Sequence, residues 1–141
     1  MKQRRKAREL SLISLYQYEV GIDDTPVKCL QEYLKTHKVK DEVVDFAKIL
    51  LNGIWDNWNL INNVIQKYSK SWKLERILIL DRNILRIAIY EMLFMDDIPY
   101  KVSINEAVEI SKMYSGEESR IFINGILDRV FKKEIKNQNG R

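Results

Sequence analysis

Five glycines and two prolines are all the backbone punctuation in this chain of 141 residues. Long stretches therefore have nothing to turn them, and the apolar residues inside those stretches recur at threes and fours rather than at twos. No Asn-Gly pair sits between alternating segments; Asn124-Gly125 falls inside a helical pattern and Asn139-Gly140 near the end. The chain is therefore expected to be all-α, with six to seven helices and no internal repeat.

The first helix runs from near Lys2 to Val20, with Leu12, Ile13, Tyr16 and Val20 as its stripe and Gly21 as its stop. Thr25-Pro26 reads as an N-cap followed by proline in the first helical position. From Asp41 onward Val43, Ala47, Leu50, Ile54, Trp58, Ile61, Ile65 and Tyr68 form one stripe, which predicts a single helix about 40 Å long. Trp55 and Trp58 on it suit packing better than a stacking platform. After a break at Trp72 and Leu74, Ile77 to Met95 is again helical and ends before Ile98-Pro99. Ser103 with Glu106, and Ser115 with Glu118, have the spacing of capping boxes and predict two helix starts. The segment from Lys132 to Arg141 reads as a charged, frayed end.

Apolar residues at 45% and charged residues at 31% fit a globular chain rather than a disordered one. The net charge of +4 is carried locally: without the segment from Lys2 to Arg8 the balance falls to about −1. Arg4 and Arg8 are four apart and share a face if this start is helical, which presents guanidinium forks to a polyanion; on a floppy tail the same charges only aid solubility. One cysteine, Cys29, excludes an internal disulfide and is compatible with a reducing compartment. No apolar run approaches a membrane span and the basic start lacks the apolar stretch of a signal peptide, so a cytoplasmic protein is expected.

The inventory for catalysis is thin. His37 is the only histidine, which rules out a histidine-based triad or a multi-histidine metal site. No glycine-rich phosphate cradle is present. The acid pairs Asp23-Asp24 and Asp96-Asp97 sit beside turn signals, where capping outweighs acid–base work. No enzyme, cofactor or metal is expected. What remains is recognition: Glu118, Phe122 and Arg129 fall along one strip of the last helix, an acid, a ring and a guanidinium. Rings beside cations suit splayed single-stranded bases, and spacing alone leaves Phe122 equally suited to packing on a neighbouring helix.

Four blocks, in order, then resemble one family. Leu85 to Met92 (Leu-Arg-Ile-Ala-Ile-Tyr-Glu-Met), Pro99 to Glu109 (around Ile104-Asn105-Glu106-Ala107), Phe122 to Asp128 (Phe-Ile-Asn-Gly-Ile-Leu-Asp) and Arg4 to Glu9 resemble the signatures of the NusB family of bacterial antitermination factors. The resemblance spans nearly the whole chain. It implies one RNA-binding domain over 1–141 built as two three-helix subdomains, divided here at 1–71 and 72–136 with a tail at 137–141. It implies binding of boxA-type single-stranded RNA together with the NusE-type small-subunit ribosomal protein, in company with other Nus factors and RNA polymerase, as a monomer or homodimer. Carried over by position, Lys2, Arg4, Arg5, Lys6 and Arg8 would contact RNA, with Glu118 and Phe122 at the same surface, and Tyr16 and Asp81 would contact the protein partner. Glu118 stands where aspartate is common, and Asp81 where glutamate occurs. An alternative is an RNA-binding module related to the N-terminal domain of ribosomal RNA cytosine methyltransferases; a DNA-binding helical regulator is a third reading.

Overall fold

A continuous apolar stripe does not guarantee a continuous helix, and residue 57 shows why. In the structure, a computed structural model that describes residues 2–70 and 72–136, the predicted long helix is two: α3 (Asp41–Asp56) and α4 (Trp58–Tyr68). Asn57 between them leaves helical geometry (φ −119°, ψ 26°). Its side-chain amide donates to the Gly53 carbonyl at 2.8 Å, so the side chain competes with its own backbone amide, which donates to the same oxygen at 3.1 Å. The step from Ile54 to Trp58 keeps helical spacing across the break, which hides it from a periodicity reading. Compact units consequently divide here, the first ending at Asn57 and the second opening at Trp58, rather than at the expected 71/72.

The described residues hold seven α-helices, a 3₁₀ turn and a π-helical turn, with no strand. Unit 1 contains α1 (Lys2–Glu19), α2 (Pro26–Leu34) and α3. Helix α1 packs on both α2 and α3. Thr25 caps α2 as expected, its hydroxyl accepting from the Lys28 amide at 3.2 Å with Pro26 in the first turn. The α1 stripe differs from the sequence reading. Its buried line is Ala7, Arg8, Leu10, Ser11, Leu12, Ser14 and Leu15, whereas Tyr16 and Val20 are 41% and 47% exposed. Three of these, Ala7, Ser11 and Ser14, are small, and a count of large apolar residues overlooks them. Gly21 ends the helix at φ 88°, a left-handed exit that suits glycine.

Unit 2 contains α4, the 3₁₀ turn Leu74–Arg76, α5 (Ile79–Phe94), α6 (Tyr100–Tyr114), α7 (Glu117–Val130) and the π-helical turn Phe131–Lys136. This makes four helices here where three were expected, the extra one being α4. Helix α5 is the axis of the unit: α4, α6, α7 and the π-helical turn all pack on it. Every residue from Asn83 to Ile89 is buried. Both predicted capping boxes are corrected. Ser103 lies inside α6, which starts after Pro99, and its hydroxyl donates to buried Glu91 at 2.7 Å. Ser115 ends α6 instead of opening α7, which follows Gly116 at φ 113°. Ser103 instead serves as a donor to a buried acid, and the Ser115 Oγ is buried without a hydrogen-bond partner among the described residues.

The frayed end is corrected as far as residue 136. Phe131 and Ile135 are buried, and Phe131 stacks on Tyr100 with ring centroids 3.5 Å apart. Glu134 accepts from the Tyr68 hydroxyl and pairs with Lys67 at 3.2 Å, tying this turn to α4. The predicted tail at 137–141 lies outside the described residues. No described helix is long and apolar enough to cross a membrane.

Candidate nucleic-acid interface

Two surfaces, one in each unit, carry the residues singled out above. The first is the start of α1. Residues from Lys2 onward are helical, so the basic run is held at helical spacing. Lys2, Arg4 and Lys6 are exposed and Arg5 is half-buried. The guanidinium carbon of Arg4 lies 4.7 Å from the ring centre of Phe46 on α3, and that of Arg8 lies 5.8 Å from it. One ring thus seats two arginines in a cation–π arrangement. Arg8 differs from the others in being only 3% exposed. The first turn of α1 contains no acidic residue. Cations concentrated at the positive end of a helix dipole repel it, each by about 0.3–1 kcal/mol at a surface site, so this end gains from an anion brought in from outside. Tyr16 is exposed further along, about 18 Å from Arg4 at the helical rise.

The second surface is a cleft of about 250 Å³ in unit 2. Here the structure brings together Asp81, from the first turn of α5, with Glu118 and Phe122 from α7. Glu118 is exposed and Phe122 half-buried, which leaves part of the ring open. Trp72 and Leu78 line the same cleft and are 53% and 64% exposed, large apolar surfaces at its mouth. Arg76 adds a cation from the 3₁₀ turn. The sequence reading missed these last three, although Trp72 beside a helix break was a visible signal.

Asp81 is 4% exposed. The Ser119 hydroxyl donates to its Oδ2 at 2.9 Å, while Oδ1 is buried without a hydrogen-bond partner among the described residues. Burial pushes the carboxyl up from its ordinary value of 3.8, and the hydroxyls of Ser119 and Ser115 oppose that rise. Ser115 acts without hydrogen-bond geometry, its own Oγ also being buried and unpartnered. Because the folded carboxyl holds its proton more tightly than the unfolded one, it stabilises the fold at low pH and loses that contribution as pH rises through its raised value. Asp81→Asn, which keeps an acceptor for Ser119 without the charge, is expected to raise the melting temperature at neutral pH and to leave it unchanged well below 3.8. Melting curves across that range check this; a variant less stable at neutral pH refutes it.

Arg129 does not join the strip of Glu118 and Phe122. Its Nε and Nη2 donate to the Tyr68 carbonyl at 3.2 and 2.9 Å, and it lines a different cleft. Among the described residues no group of acids, cysteine and histidine is arranged to hold a metal.

Comparison with known proteins agrees with this architecture. The model of the NusB family matches residues 5–132. The transcription antitermination protein NusB of Thermodesulfovibrio yellowstonii is 44% identical over 142 aligned residues, spanning 94% of this chain and 93% of that protein. The solved structure of T. maritima NusB superposes with a TM-score of 0.84 at 38% identity, covering 96% of this chain and 94% of that one. A chain from a crystal structure of antitermination factors NusB and NusE in complex with double-stranded RNA superposes with a TM-score of 0.81 at 25% identity, covering 94% of this chain and 98% of that one.

Proposed function

We propose that this chain, which belongs to the NusB family, is an antitermination factor that binds boxA-type single-stranded RNA together with a NusE-type ribosomal protein. It would then support processive transcription of ribosomal RNA operons in the cytoplasm, alongside other Nus factors and RNA polymerase. The observation that carries this reading is the acid-free basic turn opening α1, helical from Lys2, in a fold shared with a chain crystallised with NusE and RNA. Lys2, Arg4, Arg5 and Lys6 serve as phosphate contacts. Buried Arg8 braces α1 on Phe46 rather than reaching the RNA. The Phe122 ring stacks a base, and Glu118 beside it accepts from base-edge donors. Tyr16 offers an exposed ring to the protein partner, and Asp81 a buried acceptor at the floor of the cleft.

Mixing the protein with a NusE-type ribosomal protein and a boxA-type RNA tests the central claim by gel filtration. The expected result is a ternary complex held more tightly than either binary one. No ternary complex overturns the reading. Phe122→Ala should weaken RNA binding by about 1–3 kcal/mol, the range for one stacked base, with the helical signal retained. Unchanged affinity removes Phe122 from the interface.

A further inference from the structure

Unit 2 carries another cleft, unused in the reading above. It measures about 490 Å³ and is lined by Lys67, Tyr68 and Lys70 from the end of α4 and by Arg129 and Lys133 from the C-terminal side. Four of these five are cations. Glu134 offsets one of them, through its 3.2 Å pair with Lys67. The Tyr68 hydroxyl and the Lys67 ammonium hold that carboxyl below the ordinary carboxylate range, so it stays ionised. Arg129 is held in place by its two bonds to the Tyr68 carbonyl. The side-chain ammoniums of Lys70 and Lys133 have no hydrogen bond or ion pair with any described residue.

The backbone supplies an independent sign. Lys70 has φ 55°, the one non-glycine residue in the left-handed region among those described. It follows α4, where a helix exit of this shape takes glycine without strain. Lysine at that position costs the fold and places an ammonium at the cleft, strain of the kind that gathers at ligand sites. A fixed guanidinium, two unpaired lysines and a third shared with one carboxylate together favour a doubly or singly charged oxyanion.

We propose that this cleft binds phosphate groups of the RNA backbone, giving unit 2 its own electrostatic contact in addition to the bases met near Phe122. The proposal rests on the RNA-binding function proposed above. It gives Lys70 and Lys133 a role as phosphate contacts, and Arg129 that of a preset donor in the same cleft.

The test compares wild type, Lys70→Gly and Lys70→Gly with Lys133→Gln in binding a boxA-type RNA oligonucleotide over a range of potassium chloride. Each phosphate contact on a single strand contributes about 0.7 to the slope of log affinity against log salt. The slope should fall by about 0.7 in the single variant and about 1.4 in the double, with affinity near 0.15 M salt about fourfold weaker in the single and about tenfold in the double. The melting temperature of Lys70→Gly should hold or rise, because glycine relieves the left-handed backbone. Weaker binding by a protein that is no less stable separates a contact from a folding defect. Wild-type slope and affinity in the double variant overturn the proposal while leaving RNA binding in place. Loss of inorganic phosphate binding with RNA affinity unchanged assigns the cleft to the free ion and overturns it too. Absence of RNA binding by wild type refutes both this site and the function it rests on.

Discussion

Changing Lys2, Arg4, Arg5 and Lys6 together to glutamine is expected to lower affinity for single-stranded RNA by about two orders of magnitude near 0.15 M salt. Four phosphate contacts at about 0.7 each contribute about 2.8 to the salt slope, and at that salt the released counterions account for a factor of this size. The fold should respond far less. Those cations sit at the positive end of α1 with no acid in the first turn, so removing them relieves repulsion from the helix dipole, while the contact of Arg4 with Phe46 is lost and offsets that gain. Glutamine keeps helix propensity nearly unchanged. A variant that melts near the wild-type temperature and binds RNA weakly is therefore the expected outcome. Fluorescence anisotropy at several salt concentrations, with thermal melting in parallel, reads both. If affinity and slope match wild type, the first turn of α1 does not touch the RNA. Arg8 is left intact, because it is buried on Phe46 and its loss would mix a packing defect into the result.

Arg86→Ala is expected to be the most damaging single change to stability, at about 3–5 kcal/mol. Arg86 is 3% exposed, deep in α5. Its Nε donates to Asn62 Oδ1 at 2.8 Å and its Nη1 to Asn83 Oδ1 at 2.6 Å. The guanidinium carbon lies 4.1 Å from the ring centre of Trp58, the first residue of α4. Truncation leaves two amide oxygens without this donor, at about 1–3 kcal/mol for each one buried, and removes a cation–π contact of about 0.5–2 kcal/mol. Asn83 cannot simply turn away, since its Nδ2 already donates to the Ile79 carbonyl at 2.9 Å. For a chain of this size the melting temperature should fall by roughly 10 °C. Arg86→Lys keeps the charge but lacks the planar fork that spans both asparagines, and should recover less than half of the loss. A fall of only a degree or two in Arg86→Ala would mean that α4 is held by its apolar face alone.

Helix content was legible in the sequence because helical spacing, Thr25-Pro26 and Gly21 all act locally. What escaped was decided by contacts between elements. Nothing in the spacing of Ile54 and Trp58 reveals that Asn57 bonds back to Gly53. Ser103 has capping-box spacing to Glu106, yet its partner is Glu91 on another helix. The same holds for the surfaces. A basic run at the N-terminus is visible as charge, but the burial of Arg8 depends on where α3 places Phe46. Glu118 and Phe122 were legible from helical spacing and Asp81 from the family resemblance, and their sharing of one cleft needed the packing of α5 against α7. Trp72, legible only as a break, and Arg76 and Leu78 were assigned to no site because a short irregular segment carries no period to read. Lys70 was invisible for a simpler reason: a backbone angle leaves no mark in residue type when the residue is not glycine.

The enclosure of α5 also limits where this protein can change. A helix with one wet face can drift there without consequence, but between Asn83 and Ile89 there is no such face. Each substitution in that stretch is judged by several neighbours at once. Freedom to vary along α5 is confined to positions that remain half-buried or exposed, such as Arg82, Tyr90, Leu93 and Phe94. Adaptation to a different RNA or protein partner would therefore have to come from the clefts and the first turn of α1, with α5 inherited almost unaltered as the fixed part around which they diverge.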